Sequence, residues 1–184
     1  MIKVAVFALF AIIVWVGLSV SILKAPQNND ICLWGIQSMN QSIGQIAAPF
    51  EENIKSKEHY FTENGHAKFK EALRNANIED LVKNKNGSLS VNVQNLKSSY
   101  VSDGFKEGND YFSILFLPVD FIYNLNKKET KNSYDLMLKV KVIQNQSLED
   151  TFKIEQWVAA PDLYKNLKET VMSSHNVNFT KCKL

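Results

Sequence analysis

The chain has 184 residues, 45% hydrophobic and 22% charged, with a formal net charge of +2, which leaves room for one globular domain and one short accessory segment but not for two large domains. Of its 21 basic residues, Lys3 and Lys24 flank an apolar run, so from position 25 onward 19 basic residues face 19 acidic ones. A formally neutral domain lacks the basic surface that displaces counterions from nucleic acid, so no nucleic-acid partner is expected, and Lys127, Lys128 and Lys131 read as a solvated turn.

Val4 to Leu23 carries no charge. At about 1.5 Å per residue it spans roughly 30 Å, the thickness of a bilayer's hydrocarbon core. Its length exceeds the apolar region of a cleaved signal, and Ala25-Pro26 is a poor cleavage context. Residues 1–24 therefore read as a single-pass membrane anchor, or an uncleaved signal, with residues 25–184 outside the cytoplasm. Residues 25–30 (APQNND) have the composition of a linker, and residues 31–173 are expected to form the domain.

Ile36, Met39, Ile43, Ile46 and Phe50 recur at alternating gaps of about three and four residues and predict one buried helical seam. Pro49 breaks or restarts that helix, and Glu51-Glu52 suit a new N-terminus. Thr62 is a good N-cap for the next helix, whose Ala67, Phe69, Ala72, Leu73 and Ala76 share one face while Lys68, Lys70, Glu71 and Arg74 fill the other. Asn77 with Asp80 resembles a second capping signal for a short helix bearing Ile78, Leu81 and Val82. Asn86-Gly87 permits a turn, and Leu89, Val91 and Val93 then alternate with polar residues as in a half-buried strand.

Tyr111 to Leu125 reads as a long strand, apolar on both faces, with Pro118 at a bulge or edge. Lys127 to Ser133 reads as a polar hairpin loop. Leu136, Leu138, Val140 and Val142 alternate with polar partners in the clearest strand of the chain. A turn is expected around Asn145 to Asp150, and Thr151 to Val158 follows with Phe152, Ile154, Gln156 and Val158 on one side. Residues 162–173 suggest a last helix, and residues 174–184 a loosely held tail. Helices followed by about four strands in meander order predict an α+β domain, its helices on one face of a curved antiparallel sheet, behind an N-terminal transmembrane helix.

Catalytic motifs are absent: there is no glycine-rich phosphate loop, G-x-S-x-G elbow, H-E-x-x-H or paired C-x-x-C. His59 and His66 stand seven apart, but Thr62 and Gly65 argue against one helix through both, and a metal site needs three or four converging ligands. No metal or cofactor is expected. Asp120, within VDFIY, is the most provocative acid; it either lines a cavity as a general base beside Tyr123, or sits at the sheet edge near the Pro118 irregularity, or pairs with Lys139 or Lys141 on a neighbouring strand. Cys32 and Cys182 lie near the two ends of the domain. Spacing leaves open whether they are bridged or remain two thiols; a bridge would restrict the unfolded chain by about 4 to 5 kcal/mol in the loop-entropy view.

Several of these stretches, taken in order, resemble the IcmL/DotI family, inner-membrane subunits of type IVB (Dot/Icm-like) secretion machines and of related conjugation systems. They are Tyr60-Phe61-Thr62, Gly65, Phe69, Ala72-Leu73, Leu81-Val82, Leu89 with Val91, Pro118 with Val119 to Tyr123, and Gln156 to Pro161. The resemblance covers roughly residues 31 to 161. His66 stands where that family usually has Trp, and Ala160 where it usually has an acidic or similar residue. The resemblance implies a cone-shaped fold like nuclear transport factor two and a scaffolding role without enzymatic activity. Its implied partners are other secretion-apparatus subunits and further copies of the chain, on the periplasmic side of the bacterial inner membrane. Exposed aromatics dominate such interfaces, which makes Trp157 and Tyr164 the first candidates there. The alternative is a periplasmic protein of the same fold that binds a small ligand in its cavity through Asp120 and Tyr123.

Overall fold

The structure is a computed structural model that describes residues 28–94, 96–143, 151–164 and 177–183. The anchor expected at 4–23, the turn expected near 145–150 and most of the helix expected at 162–173 lie outside the described residues. Among those described, no helix is long and apolar enough to cross a membrane.

Helix α1 (Asn28–Ser38) begins inside the expected linker and runs into a π-helical turn at Met39–Ile43. Strand β1 (Gln45–Ile46), a cis Ala48–Pro49 bond and helix α2 (Phe50–Lys55) follow. The five seam residues are all buried, yet they sit on separate elements rather than on one helix. Gly44 explains the break: a Cβ there would lie 2.7 Å from the Val91 carbonyl oxygen, and the Val91 N–H donates to Gly44 at 2.8 Å. The chain passes backbone to backbone against the sheet, which a helix with side chains cannot do.

A 3₁₀ turn at Glu58–Tyr60 leads into helices α3 (Glu63–Asn75) and α4 (Ile78–Lys85). Asn77 does precede α4, but in the left-handed region at φ 57° and without a side-chain cap, so its contribution is its tolerance of that conformation. Strands β2 (Ser88–Val93), β3 (Tyr100–Ser102), β4 (Phe105–Glu107), β5 (Asp110–Leu125), β6 (Lys128–Val142), β7 (Phe152–Ala160) and β8 (Phe179–Lys181) complete the order.

The sheet has eight strands, not about four. Long β5 is its axis. One edge of β5 pairs with β6 along its whole length; the other pairs with β2 from Val119 to Asn124, and with β3 and β4 nearer its start. Pro118 lies where β5 changes partner from β3 to β2. Its carbonyl accepts from Gln94 N–H on that edge, so the N–H that proline lacks also faces the gap, and no ladder bond to β6 is lost. Register through Pro118 is unbroken against β6, so no bulge is present there.

Two local features depart from the sequence pattern. The polar segment Lys128 to Ser133 is strand rather than loop, because the chain reverses in two residues at Asn126 and Lys127, both at positive φ (52° and 64°). Such a turn matches the twist of the flanking strands. In β7 the register against β6 shifts between Lys139 and Val140, which leaves Glu155 as the extra residue. A bulge reverses the alternation. Phe152 and Ile154 therefore share their face with Trp157, while Gln156 and Val158 turn to the other.

The main core lies on the helix-bearing face, where Leu89, Val91, Leu115, Leu117, Leu136, Leu138 and Val140 meet Ile36, Met39, Phe69, Leu73 and Val82. A second cluster on the opposite face joins Phe112, Ile114, Phe116 and Met137 to Leu163 and Val177. Within the expected loose tail, residues 177–183 are held: Val177 is buried, and β8 pairs with β3 from Phe179 to Lys181.

Candidate interaction surface

Helix α3 is locked to β7 at its first turn. The Thr62 hydroxyl accepts from Gly65 N–H at 3.0 Å and donates to the Glu155 carboxylate at 2.6 Å, while Asn64 donates to the other carboxylate oxygen. The bulge thus aims Glu155 at a helix N-terminus, where an anion is stabilised. Thr62 N–H donates to Ile154 at 3.0 Å, and a Cβ on Gly65 would sit 2.0 Å from that same carbonyl oxygen. Only glycine allows this approach. Phe61 stacks on Phe69 at 4.8 Å, and Phe69 meets Trp157 at 5.0 Å. His66 lies farther from Phe61, at 5.8 Å, so the ring that packs most closely on Phe61 is Phe69.

Two hollows adjoin on the helix-bearing face, sharing Ala76 and Tyr123. The smaller, about 270 Å³, lies between α3, α4 and the sheet and is lined by Leu73, Phe121 and Trp157 among others. The larger, about 750 Å³, opens along the end of the β5–β6 hairpin, between Leu81, Tyr123, Leu125, Lys128, Thr130 and Asn132. Burial and then the neighbouring Tyr134 push the Tyr123 phenol up from its ordinary value, so it stays protonated and able to donate.

Asp120 does not line this cleft. Tyr123 lies three positions farther along a strand without bulges, so the two side chains leave opposite faces of β5. Nor does Asp120 pair with Lys139 or Lys141, which bind Glu107 at 2.5 Å and Asp110 at 2.8 Å. Its cation is Lys131 at 2.6 Å, and Ser133 donates at 2.8 Å with Gln94 as a third donor. Burial alone would raise its pKa, but the hydrogen bonds from Lys131, Ser133 and Gln94 together outweigh burial and hold the carboxyl below the usual range. That makes a well-held anion and a poor general base.

The aromatic candidates are placed differently from an open hot spot. Trp157 is 9% exposed and belongs to the main core. Tyr164 is half-buried, stacked on Tyr100 at 4.3 Å and edge-on to Phe116 at 5.1 Å. The large apolar side chains most open to solvent among the described residues are Leu33 and Tyr111. His59 and His66 fall on separate elements. Among the described residues no group of three or more His, Cys, Asp or Glu side chains converges.

Cys32 and Cys182 form a disulfide with Cα atoms 5.9 Å apart. It ties α1 to the residue after β8, and Cys182 N–H donates to Ser99 at 3.0 Å. Helix α1, the first described element after the apolar run, is thereby anchored covalently to the sheet.

No protein-family model matches the sequence, and no curated protein does. Solved structures match clearly. The periplasmic domain of DotI superposes with a TM-score of 0.62 at 17% identity, covering 75% of this chain and 99% of that one. A periplasmic fragment of TraM gives 0.63 at 15% identity, covering 73% and 98%. An IcmL-like type IV secretion system protein from Legionella pneumophila gives 0.60 at 12% identity, covering 75% and 95%. The chain has the IcmL/DotI-like periplasmic fold. Nearly all of each compared domain is matched, so the likeness extends to the whole fold unit and not to a fragment of it. At these identities it is a likeness of backbone architecture.

Proposed function

We propose that this chain is an assembly subunit of a type IVB (Dot/Icm-like) secretion or conjugation apparatus, anchored in the bacterial inner membrane by residues 4–23, with its α+β domain in the periplasm. The fold shared with the DotI, TraM and IcmL-like periplasmic domains carries this reading. The Cys32–Cys182 bond accords with an oxidising compartment. The role is mechanical: the anchor orients the domain, the disulfide fastens α1 to the sheet, and the domain docks to neighbouring subunits and to further copies of itself. Asp120, ionised and on the face away from the cleft, gives no support to a catalytic alternative.

The test is gentle detergent extraction of the tagged full-length protein, followed by identification of what stays bound. Recovery of other membrane subunits of a secretion apparatus in one large complex is the expected result. A chain reproducibly free of them contradicts the proposal.

A further inference from the structure

Strand β6 pairs with β5 over its full length, but with β7 only from Asp135 to Val142. At Ala160 the ladder stops: Pro161 follows, Asp162 takes φ 51°, and Tyr164 N–H binds the Asp135 carboxylate. Among the described residues, the outer edge of Lys128 to Tyr134 therefore has no ladder partner. At about 3.3 Å per residue this is a slot of roughly 23 Å, collinear with β7. Unpaired backbone groups in a row are satisfied by an extended strand, and neither a helix nor a small molecule can match their spacing.

We propose that the strand filling this slot is the same segment of a second copy, so that two sheets join across a two-fold axis through Thr130; this rests on the assembly reading above. The sequence of the edge is self-complementary in that register alone among its near alternatives. An antiparallel pairing centred on Thr130 sets Glu129 opposite Lys131 twice and Lys128 opposite Asn132 twice, with threonine facing threonine at the axis. Opposite charges and paired threonines in cross-strand positions are favourable. Centring on Glu129 or on Lys131 instead sets like charges face to face.

Face parity agrees. Glu129 and Lys131 both leave the face opposite the cleft, as Asp120 does, while Lys128, Thr130 and Asn132 line the cleft. Lys131 has three donors, so its ammonium can keep Asp120 and still reach Glu129 of the other copy. Length agrees too. In this register the Asn126–Lys127 turn of one copy falls opposite Tyr134 and Ser133 of the other, so the incoming strand ends beside Asp135, where β7 stops at Ala160.

The experiment uses the full-length chain in detergent, carrying Thr130→Cys. The native cysteines are bonded to each other, so the added thiol is the reactive one. Mild oxidation is expected to give a covalent dimer for Thr130→Cys and none for Tyr111→Cys, an exposed position at the far end of the ribbon. Adding Glu129→Lys, an exposed change without an ion pair to lose among the described residues, is expected to lower the dimer yield about tenfold or more by setting lysine against lysine. Circular dichroism confirms that each variant is folded. A chain that is dimeric or larger by mass but does not cross-link at Thr130 overturns the edge pairing and leaves the assembly reading standing. So does a monomer that still co-extracts with apparatus subunits. Loss of those subunits strikes the assembly reading itself.

Discussion

The β5–β6 hairpin is one ribbon with two unlike halves. From Asp110 to Pro118 and Asp135 to Val142 it is covered on both faces, by the main core and by the Phe105–Phe116–Met137 cluster, and it is flanked by β7 on one side and β3 and β4 on the other. From Val119 to Leu125 and Lys128 to Tyr134 it keeps β2 on one edge, has the cleft on one face, and carries polar side chains along an outer edge with no described neighbour. In the packed half both strands are thus core, whereas in the other β5 still buries Val119 and Phe121 and β6 lies exposed from Lys128 to Ser133. The difference comes from side chains and from where β7 stops.

Changes in the packed half should cost most. Phe69→Ala removes a fully buried ring held between Phe61 and Trp157 and is expected to destabilise the domain by about 3 to 5 kcal/mol, read from denaturant midpoints. Thr62→Ala takes away a cap and one of the donors to Glu155; a loss of about 1 to 2 kcal/mol is expected in the same titration, with a smaller loss for Thr62→Ser.

The distal half should respond more mildly and in its own manner. Asp120 has a folded pKa below the ordinary carboxylate value, so its stabilising contribution is complete above that ordinary value and fades as pH falls through the folded one. Asp120→Asn is therefore expected to lower the urea midpoint at pH 7, and the gap from the unmodified chain should close progressively in acid. A gap independent of pH would mean that the Lys131 pair contributes nothing through charge. Smallest is Lys127→Gly. Relief of the left-handed backbone at φ 64° is offset in part by the freer unfolded chain, and a gain of about 0.5 kcal/mol is expected as a slight rise in melting temperature.

The sequence was most legible where a period ran unbroken. The burial of Phe69 and Leu73 on α3 and of Leu136, Leu138 and Val140 on β6, the Thr62 cap and the restart at Pro49 all follow from spacing and local chemistry, whereas Ala67 and Ala76, expected on the same α3 face, are exposed. Strands β1, β3, β4 and β8 were hidden because two or three residues are too few to show a period. The bulge at Glu155 was hidden because it is specified by α3, far away in sequence, through Thr62 and Asn64. The two-residue turn also decides the partner of Asp120. With reversal at Asn126–Lys127, β6 starts earlier, so Ser133 stands opposite Asp120 and Lys131 comes within reach; a loop over Lys127 to Ser133 would leave Lys131 off the sheet. Trp157 could not be told from an exposed anchor, because the same bulge decides which face it takes. The Cys32–Cys182 contact depends on two chain ends meeting across β3, which no local pattern encodes.

The contrast between the two halves is tested most directly by amide hydrogen exchange, comparing the complex recovered from membranes with the same chain after dissociation from it. The account predicts that Lys128 to Tyr134 exchange markedly more slowly in the complex, while α3 and β7 are equally protected in both. Equal exchange along Lys128 to Tyr134 in the two states, with protection gained elsewhere, would contradict the assignment of the distal half as the docking edge.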